Sequence, residues 1–217
     1  MPPIEHAVIS AAGIGSRLGL NRPKCLVEVA GRTLLDYHLE RLVDVPIVWL
    51  VVGFQEEDVI AHALALRPNI IIVRNPDFAR TNTLQSIFRV AQHLQERFLV
   101  VDADTVVRPD SFKEFLKAAE QCAQLVGVSS YTTSDGVRVI LNQEKTLVQA
   151  FTREPHYEWE WTGIAILEPS IVVDKPIYVY QALEPSLPLP AYELDAFDID
   201  TVADLDMARR VMTGGWK

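Results

Sequence analysis

A glycine-containing loop with basic residues lies close to the start of the chain. It reads Ala11-Ala12-Gly13-Ile14-Gly15-Ser16-Arg17-Leu18-Gly19, and Arg22-Pro23-Lys24 follows shortly after it. The two central glycines allow the backbone to turn tightly and to bring its N–H groups close to phosphate oxygens. Arg17 adds a forked donor and Lys24 a compact positive charge, and both suit phosphate. The spacing fits neither G-x-G-x-x-G nor a Walker A loop. A plain turn between a strand and a helix is the alternative, but the basic residues favour phosphate binding.

Two pairs of acidic residues share one spacing. Asp102-Ala103-Asp104 follows a strongly apolar segment, and Asp198-Ile199-Asp200 repeats the pattern later in the chain. Residues i and i+2 of a strand face the same side, so both carboxylates of a pair can enter one cleft. Mg²⁺ takes one or two carboxylates together with substrate phosphates. The pairs together therefore predict an Mg²⁺ site, whereas solvated acids at strand ends are the alternative for either pair alone.

Tryptophan and glutamate alternate in Tyr157-Glu158-Trp159-Glu160-Trp161-Thr162-Gly163. On a strand, this order places the indoles on one face and the acids on the other. Aromatic faces beside carboxylates can hold a quaternary ammonium group by cation–π contact. Trp159, Glu160 and Trp161 are therefore candidates for a pocket that takes a cationic ligand. The alternative is that the two indoles pack in the core while the glutamates face solvent.

Composition excludes several classes of function. The chain has 217 residues, of which 49% are hydrophobic, and a formal net charge of −9. This charge argues against nucleic acid or an anionic membrane as a partner. No apolar run approaches the roughly 18 residues of a membrane helix, and the start of the chain lacks the pattern of a signal peptide. The two cysteines, Cys25 and Cys122, provide no disulfide framework and no four-ligand zinc site. We therefore expect a cytoplasmic protein.

Strand-like and helix-like segments alternate along the chain, which predicts an α/β fold with a mixed, mainly parallel sheet flanked by helices. In the first half, strands are predicted at residues 7–10, 47–52, 70–73 and 98–101. In the second half, strands are predicted at residues 125–131, 137–141, 147–152 and 161–167. The Pro-rich residues 184–190 are expected to form an extended loop. A nucleotide at the carboxyl edge of such a sheet is the usual arrangement.

The glycine-containing loop and the segment after it resemble the signature of the nucleotidyltransferase superfamily. That group includes sugar-phosphate nucleotidyltransferases and phosphocholine cytidylyltransferase-like enzymes. The resemblance is carried by residues 11–18, 22–26 and 30–35, which read AAGIGSRL, RPKCL and AGRTLL. It implies a Rossmann-like fold of the GT-A type, and it implies that Arg17 and Lys24 are catalytic, neutralising the transferring and leaving phosphates. The nucleotide-binding residues it implies in this loop are Ala11, Ala12, Gly13, Gly15, Ser16 and Arg17.

The resemblance also assigns the acidic pairs. One aspartate of each pair, Asp104 and Asp200, is the implied Mg²⁺ ligand. Asp102 is expected at the nucleotide and Asp198 on the acceptor side, each at a ribose or in support of the metal ligands. The pattern Asp-x-Asp-Thr-x-x-Asp-Leu at residues 198–205 recurs in cytidylyltransferase-like members of the superfamily.

The segment at residues 75–86 has two readings. From the residues alone, Asn82 caps a surface helix, and Ser86 lies opposite the apolar stripe of that helix and faces away from the core. The order of Asn82 and Ser86 resembles the phosphocholine cytidylyltransferase branch, in which this segment lies near the base. The resemblance therefore implies that both side chains read a pyrimidine.

Together these features predict a Mg²⁺-dependent nucleotidyltransferase that moves CMP from CTP to a small phosphorylated or phosphonate acceptor and releases pyrophosphate. Trp159, Glu160, Trp161 and Asp198 are the predicted acceptor-binding residues. We expect one domain over residues 1–217, with a nucleotide-binding half (1–122) and an acceptor-binding half (123–217). The alternatives are a sugar- or polyol-phosphate nucleotidyltransferase, a metal-dependent glycosyltransferase of the same fold, and a nucleotide sensor without turnover. The sequence leaves open whether the chain forms a homo-oligomer.

Overall fold

The structure is a computed structural model that describes residues 1–15, 18–214 and 216. Its strands are β1 (His6–Ala11), β2 (Glu28–Val29), β3 (Arg32–Thr33), β4 (Ile47–Val52), β5 (Ile71–Arg74), β6 (Phe98–Asp102), β7 (Thr105–Val107), β8 (Leu125–Ser129), β9 (Arg138–Leu141), β10 (Leu147–Thr152), β11 (Trp159–Leu167), β12 (Leu189–Glu193) and β13 (Ala196–Asp198). Its helices are α1 (Leu34–Arg41), α2 (Glu56–Leu66), α3 (Thr83–Ala91), α4 (Pro109–Ala119), α5 (Val179–Leu183) and α6 (Val202–Gly214). Short 3-10 turns lie at Lys24–Leu26, Pro169–Ile171 and Glu184–Ser186. None of the helices within the described ranges is long and apolar enough to cross a membrane.

Nine strands form one mixed sheet in the order β5-β4-β1-β6-β11-β8-β12-β10-β9. The strands from β5 to β6 are parallel to one another, and β11 joins β6 in antiparallel orientation. The sheet therefore continues from the first half of the chain into the second. The predicted α/β fold with a mixed sheet is confirmed. The expectation that the sheet is mainly parallel is wrong, because among the described residues four strand pairings of this sheet are parallel and five are antiparallel.

The second half of the sheet closes on itself. Strand β9 pairs with both β10 and β11, so β11, β8, β12, β10 and β9 form a ring of paired strands. Each of these five strands contributes to one core cluster, through Trp161, Val126, Leu189, Val148 and Val139. The ring is consequently filled and stabilised by apolar side chains.

Helices cover both faces of the parallel strands. In β1, Ile9 packs in the cluster that contains α1, α2 and α4, whereas Val8 packs in the cluster that contains α3 and α5. A strand covered on both faces favours apolar residues at every position. This explains why β4 is apolar throughout and why the central residues of β1 and β6 are apolar.

Side-chain hydrogen bonds cap the starts of α1, α3 and α6, and the predicted cap at Asn82 is confirmed. Thr33 and Asp36 form a capping box at the start of α1. Asn82 caps α3. Before α6, the carboxylate of Asp204 accepts a 2.8 Å hydrogen bond from the backbone N–H of Thr201. These side chains satisfy N–H groups that the first helical turn leaves without partners.

The prediction of an extended loop over residues 184–190 is wrong. A 3-10 turn occupies Glu184–Ser186, and β12 begins at Leu189. Proline lacks an N–H group, so a Pro-rich segment favours a loop over a strand. Pro190 is nevertheless paired with Leu147 near the start of β12, a position at which a strand tolerates proline.

Strand β11 carries an irregularity next to the last residue of β6. Its register with β8 shifts between Trp161 and Ala165. Within that interval Gly163 has a φ of 69°, and a Cβ atom there would lie 2.7 Å from Oδ2 of Asp102. Gly163 is therefore required both by the backbone conformation and by the close approach of Asp102.

Replacing Gly163 with alanine is expected to destabilise the fold. A left-handed conformation costs an L-residue about 1–2 kcal/mol, and the new methyl group would also displace Asp102. Gly31→Ala is the matched control, because Gly31 has a φ of 79° but no described atom within 4 Å of the place that a Cβ atom would take. Urea unfolding should show a larger loss of unfolding free energy for Gly163→Ala than for Gly31→Ala. Equal losses would show that contact with Asp102 is unimportant.

His38 is a buried titratable residue beneath the sheet edge. It lies on α1 with only 2% exposure. Burial, and then the charge of Arg41, lowers the pKa of His38 to about 3, although the charge of Asp104 and a hydrogen bond to the backbone of Ala103 oppose this. The imidazole is therefore neutral in the folded protein at neutral pH.

Acid is expected to destabilise the protein through His38. The imidazole of His38 has a pKa of about 6.5 in the unfolded chain and of about 3 in the folded protein. Between these two pH values, His38 binds a proton in the unfolded chain but not in the folded protein. Folding free energy is therefore lost as pH falls through this window, by up to about 1.4 kcal/mol per pH unit. Urea unfolding of wild type and His38→Leu at pH 7, 6 and 5 should show a shallower pH dependence for the variant. Identical pH dependences would contradict the lowered pKa of His38 in the folded protein.

Candidate active site

Three charged side chains from distant parts of the chain converge at the carboxyl edge of the parallel strands. Nζ of Lys24 lies 2.5 Å from Oδ2 of Asp104, and it also donates a hydrogen bond to Oδ1 of Asp200. The side chains of Lys24, Asp104 and Asp200 are 13%, 26% and 14% exposed, respectively. The cluster is shielded from most water, which strengthens its electrostatic interactions, yet each side chain is still reachable from solvent.

Separate elements deliver these three residues. Lys24 begins the 3-10 turn Lys24–Leu26, whose other two residues are buried. Asp104 lies in the turn between β6 and β7. Strand β13 pairs antiparallel with β7, and the N–H of Ile199 then donates to the carbonyl of Asp104 at 3.0 Å. This short ribbon of β7 and β13 carries Asp200 to Asp104.

The other aspartate of each pair lies at the same edge. Asp102 packs against Gly163 of β11. Oδ1 of Asp198 lies 2.7 Å from the hydroxyl of Thr105, which is also 3.1 Å from the carbonyl of Thr162. The two acidic pairs predicted from sequence are thus brought together, with β11 behind them.

Burial and mutual repulsion govern the ionisation of the cluster. Burial, and then the charge of Asp104, raises the pKa of Asp102 well above its usual value. The same two causes raise the pKa of Asp198. Burial opposes the charged form of Lys24, but the charges of Asp104 and Asp200 outweigh it and raise the pKa of Lys24. The charges of Asp104 and Asp200 therefore favour a positive charge at this edge.

The donor set fits Mg²⁺. Carboxylate oxygens are the hard ligands that this ion prefers, and Asp104 and Asp200 already share one cation, the ammonium group of Lys24. Among the described residues, no group of three or more His, Cys, Asp or Glu side chains could hold a metal. Asp104 and Asp200 would therefore be the protein ligands of the ion, with water and substrate phosphates completing its shell.

The loop after β1 forms one wall of a small cavity beside the cluster. The cavity has a volume of about 110 Å³. It is lined by Ser10, Ala11, Gly13, Lys24, Cys25, Thr83, Asp102, Ala103 and Asp104. Both predicted phosphate-binding residues Gly13 and Lys24 therefore face the same space as the acidic pair of β6.

The lack of a side chain at Gly15 leaves space for the side chain of Lys24. Gly15 has a φ of 64°, and a Cβ atom there would lie 2.7 Å from Cγ of Lys24. Ala12 is buried under the loop. Ser16 and Arg17 lie outside the described residues, so their predicted contacts with phosphate stay predictions.

The start of α3 differs from the expectation. The prediction that Ser86 faces away from the core is wrong, because Ser86 is buried and its hydroxyl accepts a 3.0 Å hydrogen bond from Nδ2 of Asn75. Nδ2 of Asn75 also lies 2.8 Å from the hydroxyl of Thr81. The carboxamide of Asn82 caps α3 and donates to the carbonyl of Ile177 at 2.8 Å. Internal hydrogen bonds therefore hold the side chains of Asn82 and Ser86 in place. Their contact with a base stays a prediction.

Glu160 is buried rather than open to a ligand. Its carboxylate pairs with Arg138 and accepts hydrogen bonds of 2.8 Å from both the N–H and the hydroxyl of Thr133. Burial is the main cause that raises the pKa of Glu160, and the charge of Asp200 adds to it. Glu160 therefore faces the acidic cluster but is occupied by internal partners.

The two indoles lie on the other face of β11. Trp161 is buried against Phe151, with 6.2 Å between ring centroids in an edge-to-face arrangement. Trp159 is half-buried, and Nζ of Lys145 lies 4.9 Å from its ring centroid. A protein cation thus already occupies the face of Trp159, and the alternative of core packing describes Trp161.

Sequence reasoning missed the residues that hold the acids in place. Thr105 binds Asp198, and Gly163 makes room for Asp102. A signal was present for Thr105, because the pattern Asp-x-Asp-Thr occurs twice, at residues 102–105 and 198–201. Nothing in the sequence around Gly163 shows which side chain it meets.

Comparison with known proteins shows the family to which the chain belongs. The chain matches the family model of the MobA-like NTP transferase domain over residues 7–159. One relative is the bifunctional IPC transferase and DIPP synthase of Rubrobacter xylanophilus, 37% identical over 116 residues, which are 51% of this chain and 26% of that protein. Another is the CMP-5'-(3-aminopropyl)phosphonate synthase of Streptomyces rubellomurinus, 37% identical over 125 residues, which are 54% of this chain and 20% of that protein. The match covers only about a fifth to a quarter of each of these relatives.

A solved structure shares the whole fold. The CTP:phosphocholine cytidylyltransferase from Streptococcus pneumoniae superposes with a TM-score of 0.79 at 20% identity, covering 96% of this chain and 100% of that one. The family match spans the loop after β1, Lys24 and the acidic pair of β6, which are the parts of the cluster contributed by the first half. This chain therefore belongs to the family of MobA-like NTP transferase domains.

Proposed function

We propose that this chain transfers CMP from CTP to a small acceptor that carries a phosphate or phosphonate group, and releases pyrophosphate. The convergence of Lys24 with Asp104 and Asp200 carries the proposal. A cation and two metal-binding carboxylates are what a triphosphate and its Mg²⁺ require. They lie at the edge of the sheet where nucleotides bind in related folds.

The choice of CTP rests on the relatives and on one motif. One relative is named as the synthase of a CMP-phosphonate, and the structural neighbour is named for CTP and phosphocholine. The Asp-x-Asp-Thr pattern at residues 198–201 supports the same choice. Transfer to a sugar or polyol phosphate is the alternative within the family.

The reaction is an in-line displacement. An oxygen of the acceptor phosphate attacks the α-phosphorus of CTP, and the new O–P bond forms as the bond to the β-phosphate oxygen breaks. Pyrophosphate leaves with the electron pair. The attacking oxygen is already ionised, so no general base is needed. Catalysis then depends on positioning and on charge stabilisation.

The residues of the cluster divide this task. Lys24, whose pKa is raised, remains charged and moves its ammonium group from the carboxylates to the phosphates. Asp104 and Asp200 would hold Mg²⁺, which offsets the negative charge of the reacting phosphates when bound. The backbone around Gly13 and Gly15 would hold the triphosphate. Arg17 is the predicted second cation.

Pyrophosphate release is the test of the proposal. The protein is incubated with Mg²⁺, each of the four NTPs in turn, and a panel that includes phosphocholine, an aminoalkylphosphonate, inositol 1-phosphate and glucose 1-phosphate. We expect release with CTP and one of the non-sugar acceptors.

The other outcomes are equally informative. Release only with a sugar phosphate would move the protein to the sugar branch of the family. Absence of release with every pair, despite binding of an NTP detected by calorimetry, would contradict the proposal and support a nucleotide sensor.

Asp104→Asn is expected to lower kcat by about 10²-fold or more, as loss of one preorganised charged group does in other active sites. The substitution keeps the shape but removes the negative charge that Lys24 and Mg²⁺ need. Asp206→Asn is the matched control, because Asp206 is exposed and pairs with Arg209 on the surface of α6. Steady-state pyrophosphate release measures both. Wild-type turnover by Asp104→Asn would show that the metal assignment is wrong.

A further inference from the structure

An arginine rests on two tyrosine rings at the surface of the second half of the chain. The guanidinium carbon of Arg153 lies 5.5 Å from the ring centroid of Tyr178 and 5.5 Å from that of Tyr180. The two rings are nearly parallel, with 9° between their planes and 5.8 Å between centroids. We call Arg153, Tyr178 and Tyr180 the arginine ledge. Stacking of this kind restricts a guanidinium group and prepares it for binding.

Strand register relates the ledge to the strand that packs on the acidic cluster. The last residue of β10 is opposite Arg138 of β9, and Arg138 is opposite Glu160 of β11. Arg153 follows β10 directly, so it is displaced by one residue along β11 towards Gly163. Gly163 is the residue that packs on Asp102. Arg153 is therefore level with the part of β11 that leads from Glu160 to Gly163, with β9 between the two strands.

A second connection joins the ledge to the cavity. Nδ2 of Asn82 donates to the carbonyl of Ile177, the residue before Tyr178. The residue after Asn82 is Thr83, which lines the cavity beside Lys24. This hydrogen bond therefore holds the segment that carries Tyr178 and Tyr180 against the start of α3, next to a residue that lines the cavity.

The charge balance of the site favours a cation at this place. The proposed acceptor brings a phosphate or phosphonate dianion into a protein with a net charge of −9. Lys24 is already shared by two carboxylates, and Arg138 is buried against Glu160. The arginine ledge offers a positive charge that is exposed to solvent, and its connections through β9 and through Asn82 lead towards the cleft.

The contacts of Arg153 leave its binding edge accessible. Nη1 donates to the carbonyl of Asp135 at 2.7 Å, and one face of the group covers the tyrosine rings. Within the part of the chain that the structure describes, these contacts do not use the fork formed by Nε–H and Nη2–H, which suits two oxygens of a tetrahedral anion. The fork is thus preorganised for a phosphate or phosphonate group.

We propose that Arg153 binds the phosphate or phosphonate group of the acceptor and that Tyr178 and Tyr180 orient it for this role. This inference rests on the proposed function, and it names the acceptor-side counterpart of Lys24. The arginine ledge, and not the buried Glu160, then determines which acceptors bind.

The test compares Arg153→Gln with wild type in steady-state pyrophosphate release, using CTP and whichever acceptor of the panel supports turnover. We expect the acceptor KM to rise roughly 10- to 100-fold, the range for loss of a charge-assisted hydrogen bond, while the KM for CTP stays within about twofold. Arg153→Lys keeps the charge without the fork and should give an intermediate acceptor KM. Lys117→Gln removes the same charge from the exposed face of α4 and should leave both constants unchanged.

The outcomes separate this inference from the proposed function. Turnover by Arg153→Gln with an unchanged acceptor KM would overturn the role of Arg153 and leave the proposed function standing. A parallel rise in the KM for CTP would also overturn it, because the effect would then not belong to the acceptor. Absence of turnover by wild type with every pair would overturn the proposed function and this inference with it. Circular dichroism of each variant verifies that it is folded.

Discussion

The ammonium group of Lys24 lies between the carboxylates of Asp104 and Asp200, and this contact is the constraint on which the site depends. Charges removed from water are tolerated in a protein only when they are paired. Three segments far apart in sequence must therefore meet within hydrogen-bond distance. The pairing of β7 with β13 brings Asp200 to Asp104. Gly15 leaves space for the side chain of Lys24 to reach both carboxylates.

The two halves of the sheet serve this cluster in different ways. The parallel strands β1 and β6 end at one edge and deliver the loop and the first acidic pair, as parallel strands covered by helices on both faces do in other α/β proteins. The ring of strands formed by β11, β8, β12, β10 and β9 encloses its own apolar core. Its rim carries the buried pair of Glu160 and Arg138 and the arginine ledge.

Much of the fold can be predicted because the signals are local. Strand β4 is an apolar run, and the sequence predicts it with its observed bounds, Ile47–Val52. The caps at Thr33 and Asn82 follow from short-range hydrogen bonding. Strand β12 is missed because its prolines favour a loop, and only pairing with β8 and β10 shows that the segment is a strand. Ser86 is placed on the wrong side because the partner that buries it, Asn75, lies before the helix.

The types of groups in the site can be read from the sequence alone: a glycine-containing loop, Lys24, and two Asp-x-Asp pairs whose spacing directs both carboxylates of a pair to one side. Which of these groups meet depends on the packed chain. Packing joins Asp104 to Asp200 through a ribbon between distant segments, and it withdraws Glu160 from solvent by pairing it with Arg138. It also brings Arg153 onto Tyr178. The difference arises because periodicity and capping act over a few residues, whereas the pairing of charges depends on distances that only the packed strands establish.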